Sequence, residues 1–146
     1  MRPHVEPHRS VIAAAIFGIF NPIPFGCFVA GFVFDVVYFR TGEILWDKAA
    51  AWSIALGLVC AIVPRLINLS QVWITSRRWS TGADRFDFVL NLIAIVLAIV
   101  NSFVHSRDAY ASMPAGVWLS ALTVFLLIIS HATSAVRAAR QAYGHA

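Results

Sequence analysis

The chain has 146 residues, of which 60% are hydrophobic and 12% charged, and its mean hydropathy is +0.76. A soluble fold of this length cannot hide so much apolar surface, so the composition excludes a soluble enzyme and indicates a membrane protein. The net charge of +4 does not indicate nucleic-acid binding, because the basic residues are scattered over the ends of apolar segments and form no stripe.

The first 21 residues contain a short apolar run that stops at a helix break. Val11–Phe20 is followed by Asn21, Pro22 and Pro24. Asparagine caps free amides at a helix start, and proline is well tolerated in the first turn. We therefore expect a short amino-terminal interfacial helix over Val11–Phe20 and a new helix from Pro22. A single kinked helix from Val11 onward is the alternative.

Four longer apolar runs follow in chain order. A helix needs about 20 mainly apolar residues to cross a ~30 Å hydrocarbon layer, and the runs lack the strict alternation of barrel strands. We therefore predict an all-α membrane protein, a four-transmembrane-helix bundle. The predicted spans are about 22–39, 49–73 with a kink at Pro64, 86–104 and 117–135, and residues 136–146 form a cytoplasmic tail.

The distribution of lysine and arginine predicts the orientation. The amino end, the loop after the second span and the tail hold seven of these residues, whereas the other two loops hold three. Cytoplasmic loops carry the excess, so we expect a multi-pass protein with both termini in the cytoplasm. Aromatic residues are typical of an interfacial belt at the predicted outer boundary: Tyr38, Trp46, Trp52, Tyr110 and Trp118.

Ionisable residues at membrane depth are candidates for function. Asp35 lies about one turn inside the outer end of the first span, where it could bind a proton or cation, contact a partner, or hydrogen-bond within the bundle. Arg65 follows Pro64 on the inner half of the second span. It could hold an anionic headgroup or a quinone oxygen, or its long side chain could extend to the headgroups.

A second group of polar residues is predicted at the inner end of the bundle. Arg65, Asn68, Asn91 and His131 fall at similar depth and could form one polar cluster at the cytoplasmic mouth. This is the best candidate site in the sequence. The other interpretation is a set of hydrogen bonds that hold the helices together, at roughly 0.6 kcal/mol per contact.

The remaining residues give no pattern for metal, cofactor or covalent chemistry. Cys27 and Cys60 lie at different depths, and the histidines are dispersed. His105 and His131 are predicted about a membrane thickness apart, which argues against haem between them. No phosphate loop, nucleophile elbow or carboxylate pair is present. We therefore predict no catalytic residue, metal or cofactor.

Small residues four apart indicate close contact between the first two spans. Gly26 and Ala30, and Cys27 and Gly31, have this spacing on the first span, and Ser53, Gly57 and Ala61 have it on the second. The leading hypothesis is a non-enzymatic anchor or accessory subunit in the lipid bilayer. Its partner would be a membrane or periplasmic protein or a second copy. The alternative is a small transporter or a lipid or quinone binder that uses the inner cluster.

The segment NPIPFGCFVAGFVFDVVY, residues 21–38, resembles the opening of a family of bacterial predicted membrane proteins, domain of unknown function 2231. Three further segments look similar to that family: WDKAAAW at 46–52, GLVCAIVP at 57–64 and LNLIA at 90–94. The resemblance covers roughly residues 21–130. It implies a four-helix bacterial inner-membrane protein and supplies no established reaction.

Overall fold

The structure is a computed structural model that describes residues 22–69 and 82–144. Within these two ranges the chain forms helices and no strand, which confirms the all-α prediction. The helices are α1 (Pro22–Thr41), α2 (Ile44–Leu69), α3 (Gly82–His105), α4 (Ala109–Ser112) and α5 (Ala115–Gly144).

Four of these helices contain segments long and apolar enough to cross a membrane. The segments are Pro22–Thr41, Ile44–Ile62, Arg85–His105 and Ala115–Arg137. The described part of the chain therefore contains the four membrane-length helices that the sequence predicted. The predicted interfacial helix at 11–20 and Asn21 lie outside the described residues, and Pro22 is the first described residue of α1.

The four long helices form a ring in which each packs mainly on two neighbours. α1 packs on α2 and α5, and α3 packs on α2 and α5. Successive long helices run in opposite directions, so the bundle has two distinct ends. We call the end with residues 42–43 and 106–114 the hairpin end. The other, where the described part of α1 begins and α5 ends, is the tail end.

The turn between α1 and α2 is shorter than the sequence suggested. Gly42 has φ of 70° and donates its amide hydrogen to the carbonyl of Tyr38 at 2.8 Å. Glycine adopts this left-handed conformation without steric cost and ends helices in this way. Because the chain turns within two residues, α2 begins at Ile44 instead of near residue 49. α5 continues as a helix to Gly144, beyond its apolar segment, which ends at Arg137.

The centre of the bundle is apolar and receives side chains from all four long helices. Its buried members are Phe28, Ile54, Ala94, Ala98, Val124 and Leu127. Two glycines permit the close approach of α1 and α2. A Cβ at Gly57 would lie 2.9 Å from the ring of Phe28, and one at Gly31 would lie 3.0 Å from Ile54. These contacts agree with the small-residue spacing on the two helices.

The outer surface of the bundle is rich in large apolar side chains. Trp52 and Trp118, both expected in the aromatic belt, are 76% and 74% exposed. A side chain that faces lipid makes few contacts with the rest of the protein and is exposed in this way. Tyr38 differs from the expectation. It is only 4% exposed and lies inside the bundle, because α1 turns that face toward its neighbours. Tyr38 is therefore not a residue of the belt.

Candidate functional site

Polar side chains on α3 share one face of the helix. His105, Asn101, Asn91 and Asp87 lie on it, with Ala98 and Ala94 between Asn101 and Asn91, and neighbouring members of this series are three or four residues apart. Residues at this spacing fall on the same side of a helix. This face is turned toward α1 and α5, and its polar members bond to both.

Asp35 of α1 is the buried acceptor around which the hairpin end is organised. Its side chain has no exposed area. The hydroxyl of Ser120 on α5 donates to Oδ2 of Asp35 at 2.5 Å, and Nε2 of His105 on α3 lies 2.7 Å from Oδ1. The carboxylate therefore joins three helices through two short contacts.

Two further bonds complete what we call the hairpin-end network, which consists of Asp35, Asn101, His105 and Ser120. The amide of Asn101 donates from Nδ2 to the hydroxyl oxygen of Ser120 at 2.7 Å. Nδ1 of His105 donates to the carbonyl of Asn101 at 3.0 Å. Because a carbonyl can only accept, this contact requires a hydrogen on Nδ1. Nε2 and Oδ1 of Asp35 then share one proton between them.

The ring of His105 is held by packing as well as by hydrogen bonds. Its exposed fraction is 3%. A Cβ added at Gly116, the second residue of α5, would lie 2.9 Å from Cε1 of the ring. The absence of a side chain at Gly116 is therefore what lets α5 begin directly against the imidazole.

A second buried carboxylate lies at the same end of the bundle. Asp47, in the first turn of α2, has no exposed area and accepts a hydrogen bond from the Ser112 hydroxyl of α4 at 2.7 Å. Nζ of Lys48 lies 3.4 Å from the other carboxylate oxygen. That distance is within ion-pair range, but the geometry is not that of a hydrogen bond, since Oδ2 has no hydrogen-bond partner. Asp47 fastens the short helix α4 to α2.

The tail end carries a third carboxylate, Asp87 of α3, in a more open setting. The hydroxyls of Thr133 and Ser134 on α5 donate to its two oxygens at 2.9 and 2.8 Å. Arg137 forms an ion pair with the same carboxylate. The side chains of Asp87 and Arg137 are 15% and 31% exposed. Solvent therefore screens this ion pair more than it screens the contacts of the buried carboxylates at the hairpin end.

The structure describes two of the four residues predicted to form the inner cluster. Asn91 is buried and donates from Nδ2 to Ser130 at 2.6 Å and to the carbonyl of Asp87 at 2.8 Å. His131 is exposed, and its ring lies 5.0 Å from that of Phe25. The side chains of Arg65 and Asn68 lie outside the described residues. The four-residue cluster therefore stays a prediction, with its two described members turned to different partners.

The buried contact between Asp35 and His105 was not predicted from the sequence. His105 had been considered only as a haem ligand, although it falls at the same predicted depth as Asp35. That shared depth is the signal that could have found the pair. Asp47 was missed because it was assigned to a loop, and Asp87 because it lies at the first residues of the third predicted span.

The depth of the two histidines also differs from the expectation. His105 contacts Asp35 and His131 contacts Phe25, and these two contact residues are ten positions apart on α1. Ten residues rise about 15 Å along a helix, so the histidines are separated by about half the layer instead of its full thickness. Among residues 22–69 and 82–144, no three His, Cys, Asp or Glu side chains come together as a metal site.

Four membrane-length helices and their internal polar contacts define a polytopic helical membrane protein. Residues 13–142 match the family described as Predicted membrane protein (DUF2231). The chain belongs to this family, which confirms the resemblance seen in its sequence. No curated protein and no solved structure matched the chain.

Proposed function

We propose that this protein is a non-catalytic anchor or accessory subunit of a membrane complex. The observation that carries the proposal is how the buried polar groups are used. Asp35, His105 and Ser120 bond to one another across three helices, and Asp47 bonds to Ser112. Active sites instead present converging polar groups to a space that admits substrate.

The packing around Asn101 supports the same proposal. A narrow gap lined by Phe28, Ala98, Asn101 and Thr123 is too small for a water molecule. The polar groups of the hairpin end therefore meet protein atoms and not a chamber for a ligand. A bundle of this kind is suited to holding its own helices in a fixed arrangement in the bilayer.

The proposed location is the bacterial cytoplasmic membrane, with both termini in the cytoplasm. The support is the excess of lysine and arginine at the amino end, in the loop after the second span and at the carboxyl end. With this orientation the tail end is cytoplasmic, and the hairpin end with its buried carboxylates faces the opposite side of the membrane.

Co-purification tests the subunit proposal. A tag at the carboxyl end, extraction of native membranes in mild detergent and quantification of bound proteins should reveal one partner in stoichiometric amount. Recovery of the chain alone, or only as a homo-oligomer, would contradict the role of anchor for another protein. An enzyme activity of the isolated chain would contradict the non-catalytic assignment.

Glycine variants provide matched controls for that experiment. Gly57 packs against Phe28, so Gly57→Leu should disturb the bundle and lose the partner through misfolding. Beyond its own helix backbone and chain neighbours, no heavy atom of the described residues lies within 4 Å of a Cβ at Gly26, so Gly26→Leu should keep the bundle intact. A folded Gly26→Leu protein that loses the partner would locate the docking surface on that face of α1.

A second candidate function is transport, or lipid or quinone binding, at the predicted inner cluster. Its specific support is Oδ1 of Asn91, which is buried without a hydrogen-bond partner among the described residues. Arg65→Ala should abolish such an activity while the protein stays folded. Uptake or ligand binding that is unchanged in Arg65→Ala would exclude the cluster as the site.

A further inference from the structure

Both ring nitrogens of His105 face acceptors, and this sets the number of protons that the complete network holds. Nδ1 lies 3.0 Å from the carbonyl of Asn101, and a hydrogen bond there requires a hydrogen on Nδ1. The 2.7 Å contact between Nε2 and Oδ1 needs one more proton. That proton is on the ring, beside a carboxylate, or on the carboxyl group, beside a neutral ring. The two arrangements contain the same number of protons.

Without the proton, one of the two contacts of the ring loses its hydrogen bond. A neutral ring with its hydrogen on Nδ1 turns a lone pair toward Oδ1 of the ionised carboxylate. A neutral ring with its hydrogen on Nε2 keeps the bond to Asp35 but turns a lone pair toward the carbonyl of Asn101. The burial of both side chains removes the water that would separate two facing acceptors. Only the network that contains the proton therefore keeps both hydrogen bonds.

Separated side chains would not keep this proton at neutral pH. Free aspartic acid has a pKa of about 3.9 and free histidine of about 6.5. Between these values the separated pair holds as many protons as the closed pair. Above about pH 6.5 the separated histidine is neutral and the aspartate ionised, so the separated pair holds one proton fewer.

We propose that Asp35 and His105 form a proton-binding site inside the membrane-spanning bundle, and that uptake of one proton there fastens α1 to α3 and α5 at the hairpin end. This inference is independent of the anchor role. Proton linkage gives the direction of the pH dependence. The closed state, in which Asp35 and His105 are in contact, has its full stability between about pH 4 and 6.5. Above that range the equilibrium constant for closing falls by up to about tenfold per pH unit, until the closed pair itself loses the proton.

The surroundings of the pair are compatible with a single titrating site. The described part of α5 contributes no titratable side chain between Ala115 and Ser130, and Asp47 on α2 is within electrostatic range of His105. The other titratable or charged groups near this end are Tyr38 and Arg40 on α1, Glu43 in the turn, Lys48 on α2, Arg107 and Asp108 in the connection, and Tyr110 on α4. Tyr38 is buried and the rest of these are exposed.

The site is close to water although it is buried. His105 is the last residue of α3, and the next two residues, Ser106 and Arg107, are exposed. The ring therefore belongs to the residue next to the exposed connection at the hairpin end. Ser120 and Asn101 continue the hydrogen-bonded network toward the middle of the bundle, where the apolar core stops it.

Spectroscopy of the full chain in lipid nanodiscs tests the proposal directly. The histidine rings would be labelled with ¹⁵N and their protonation followed from about pH 5 to 9, with the protonated carboxyl of Asp35 followed by infrared absorption. The His105 signal is assigned by its loss in His105→Gln. In the wild type, the ring or the carboxyl should keep the shared proton at about pH 8. A pair that loses it near pH 6.5, as free histidine does, would overturn the proposal.

Asp35→Asn separates the site from a histidine that is merely buried. An amide can donate to Nε2 of a neutral ring, so this variant needs no extra proton, and its ring should be neutral at about pH 8. A His105 ring that is still protonated at about pH 8 in Asp35→Asn would overturn the proposal. His131→Gln, whose change lies in the tail-end half, is the matched control and should leave the His105 titration unchanged.

A stability measurement covers the case in which Asp35→Asn does not fold. His105→Gln keeps a donor toward Asp35 but has no proton to lose. Unfolding of the wild type should become easier above about pH 6.5, by up to about tenfold in the equilibrium constant per pH unit, and His105→Gln should lack this component. Equal pH dependence in the two proteins would overturn the proposal.

Discussion

Replacing His105 with phenylalanine should destabilise the bundle by about 3–5 kcal/mol. The change removes the charge-assisted contact with Asp35, worth about 1.5–3 kcal/mol, and the bond to the Asn101 carbonyl, worth about 1 kcal/mol. It also leaves a carboxylate with no exposed area and only the Ser120 hydroxyl as a donor. Phenylalanine keeps most of the ring volume against Gly116, so the loss reports on the polar contacts.

The decisive comparison adds Asp35→Val to His105→Phe. An apolar pair of similar volume is often as stable as a buried ion pair, so the double variant should recover most of the loss. About 1 kcal/mol should remain lost, because Ser120 no longer has its acceptor. The assay is unfolding by sodium dodecyl sulfate in mixed micelles, followed by far-ultraviolet circular dichroism. A double variant as unstable as the sum of the two single variants would refute the reasoning, because it would mean that the two side chains do not interact.

Two further predictions use the same unfolding assay. Gly57→Ala should cost about 1–3 kcal/mol because its methyl group would lie 2.9 Å from the ring of Phe28, whereas Gly26→Ala should stabilise by up to about 1 kcal/mol because its position is open and helical. Equal effects of the two alanines would contradict the described α1–α2 contact. Asp87→Asn should cost less than about 1 kcal/mol, since its pair with Arg137 is partly exposed, and a loss as large as that of His105→Phe would show that the tail end is more enclosed than described.

Hydropathy was sufficient to predict the fold because a membrane span accounts for the length of each apolar run. A run of about 20 apolar residues matches the thickness of the bilayer, and helices satisfy their own backbone in lipid. The helix limits were less accurate where local chemistry decides them. Gly42 ends α1 in a left-handed conformation, so the chain turns at once and α2 begins at Ile44. Asp47, which was expected in a loop, therefore lies buried in the first turn of α2.

The site was harder to predict because depth along the membrane is only one of two coordinates. The sequence places Asp35 and His105 at similar depth, but it does not say which helices are neighbours around the ring. Contacts of α5 with both α1 and α3 are what bring Ser120 between them. The polar face of α3, with His105, Asn101 and Asn91 at helical spacing, is visible in the sequence and would have favoured the α3–α5 interface.

The apolar centre makes the two polar ends energetically independent. Ala94, Ala98 and Leu127 lie between the hairpin-end network and the Asn91–Ser130 bond, and they carry no side-chain group that could relay a hydrogen bond.

Asp87 precedes His105 by 18 residues on α3, a rise of about 27 Å. Changes separated by more than about 10 Å without shared partners add to within about 0.5 kcal/mol. Asp87→Asn combined with His105→Phe should therefore show the sum of the two single effects. A coupling above about 1 kcal/mol would mean that the core transmits a rearrangement between the two faces of the membrane, which is what a transporter needs and an anchor does not.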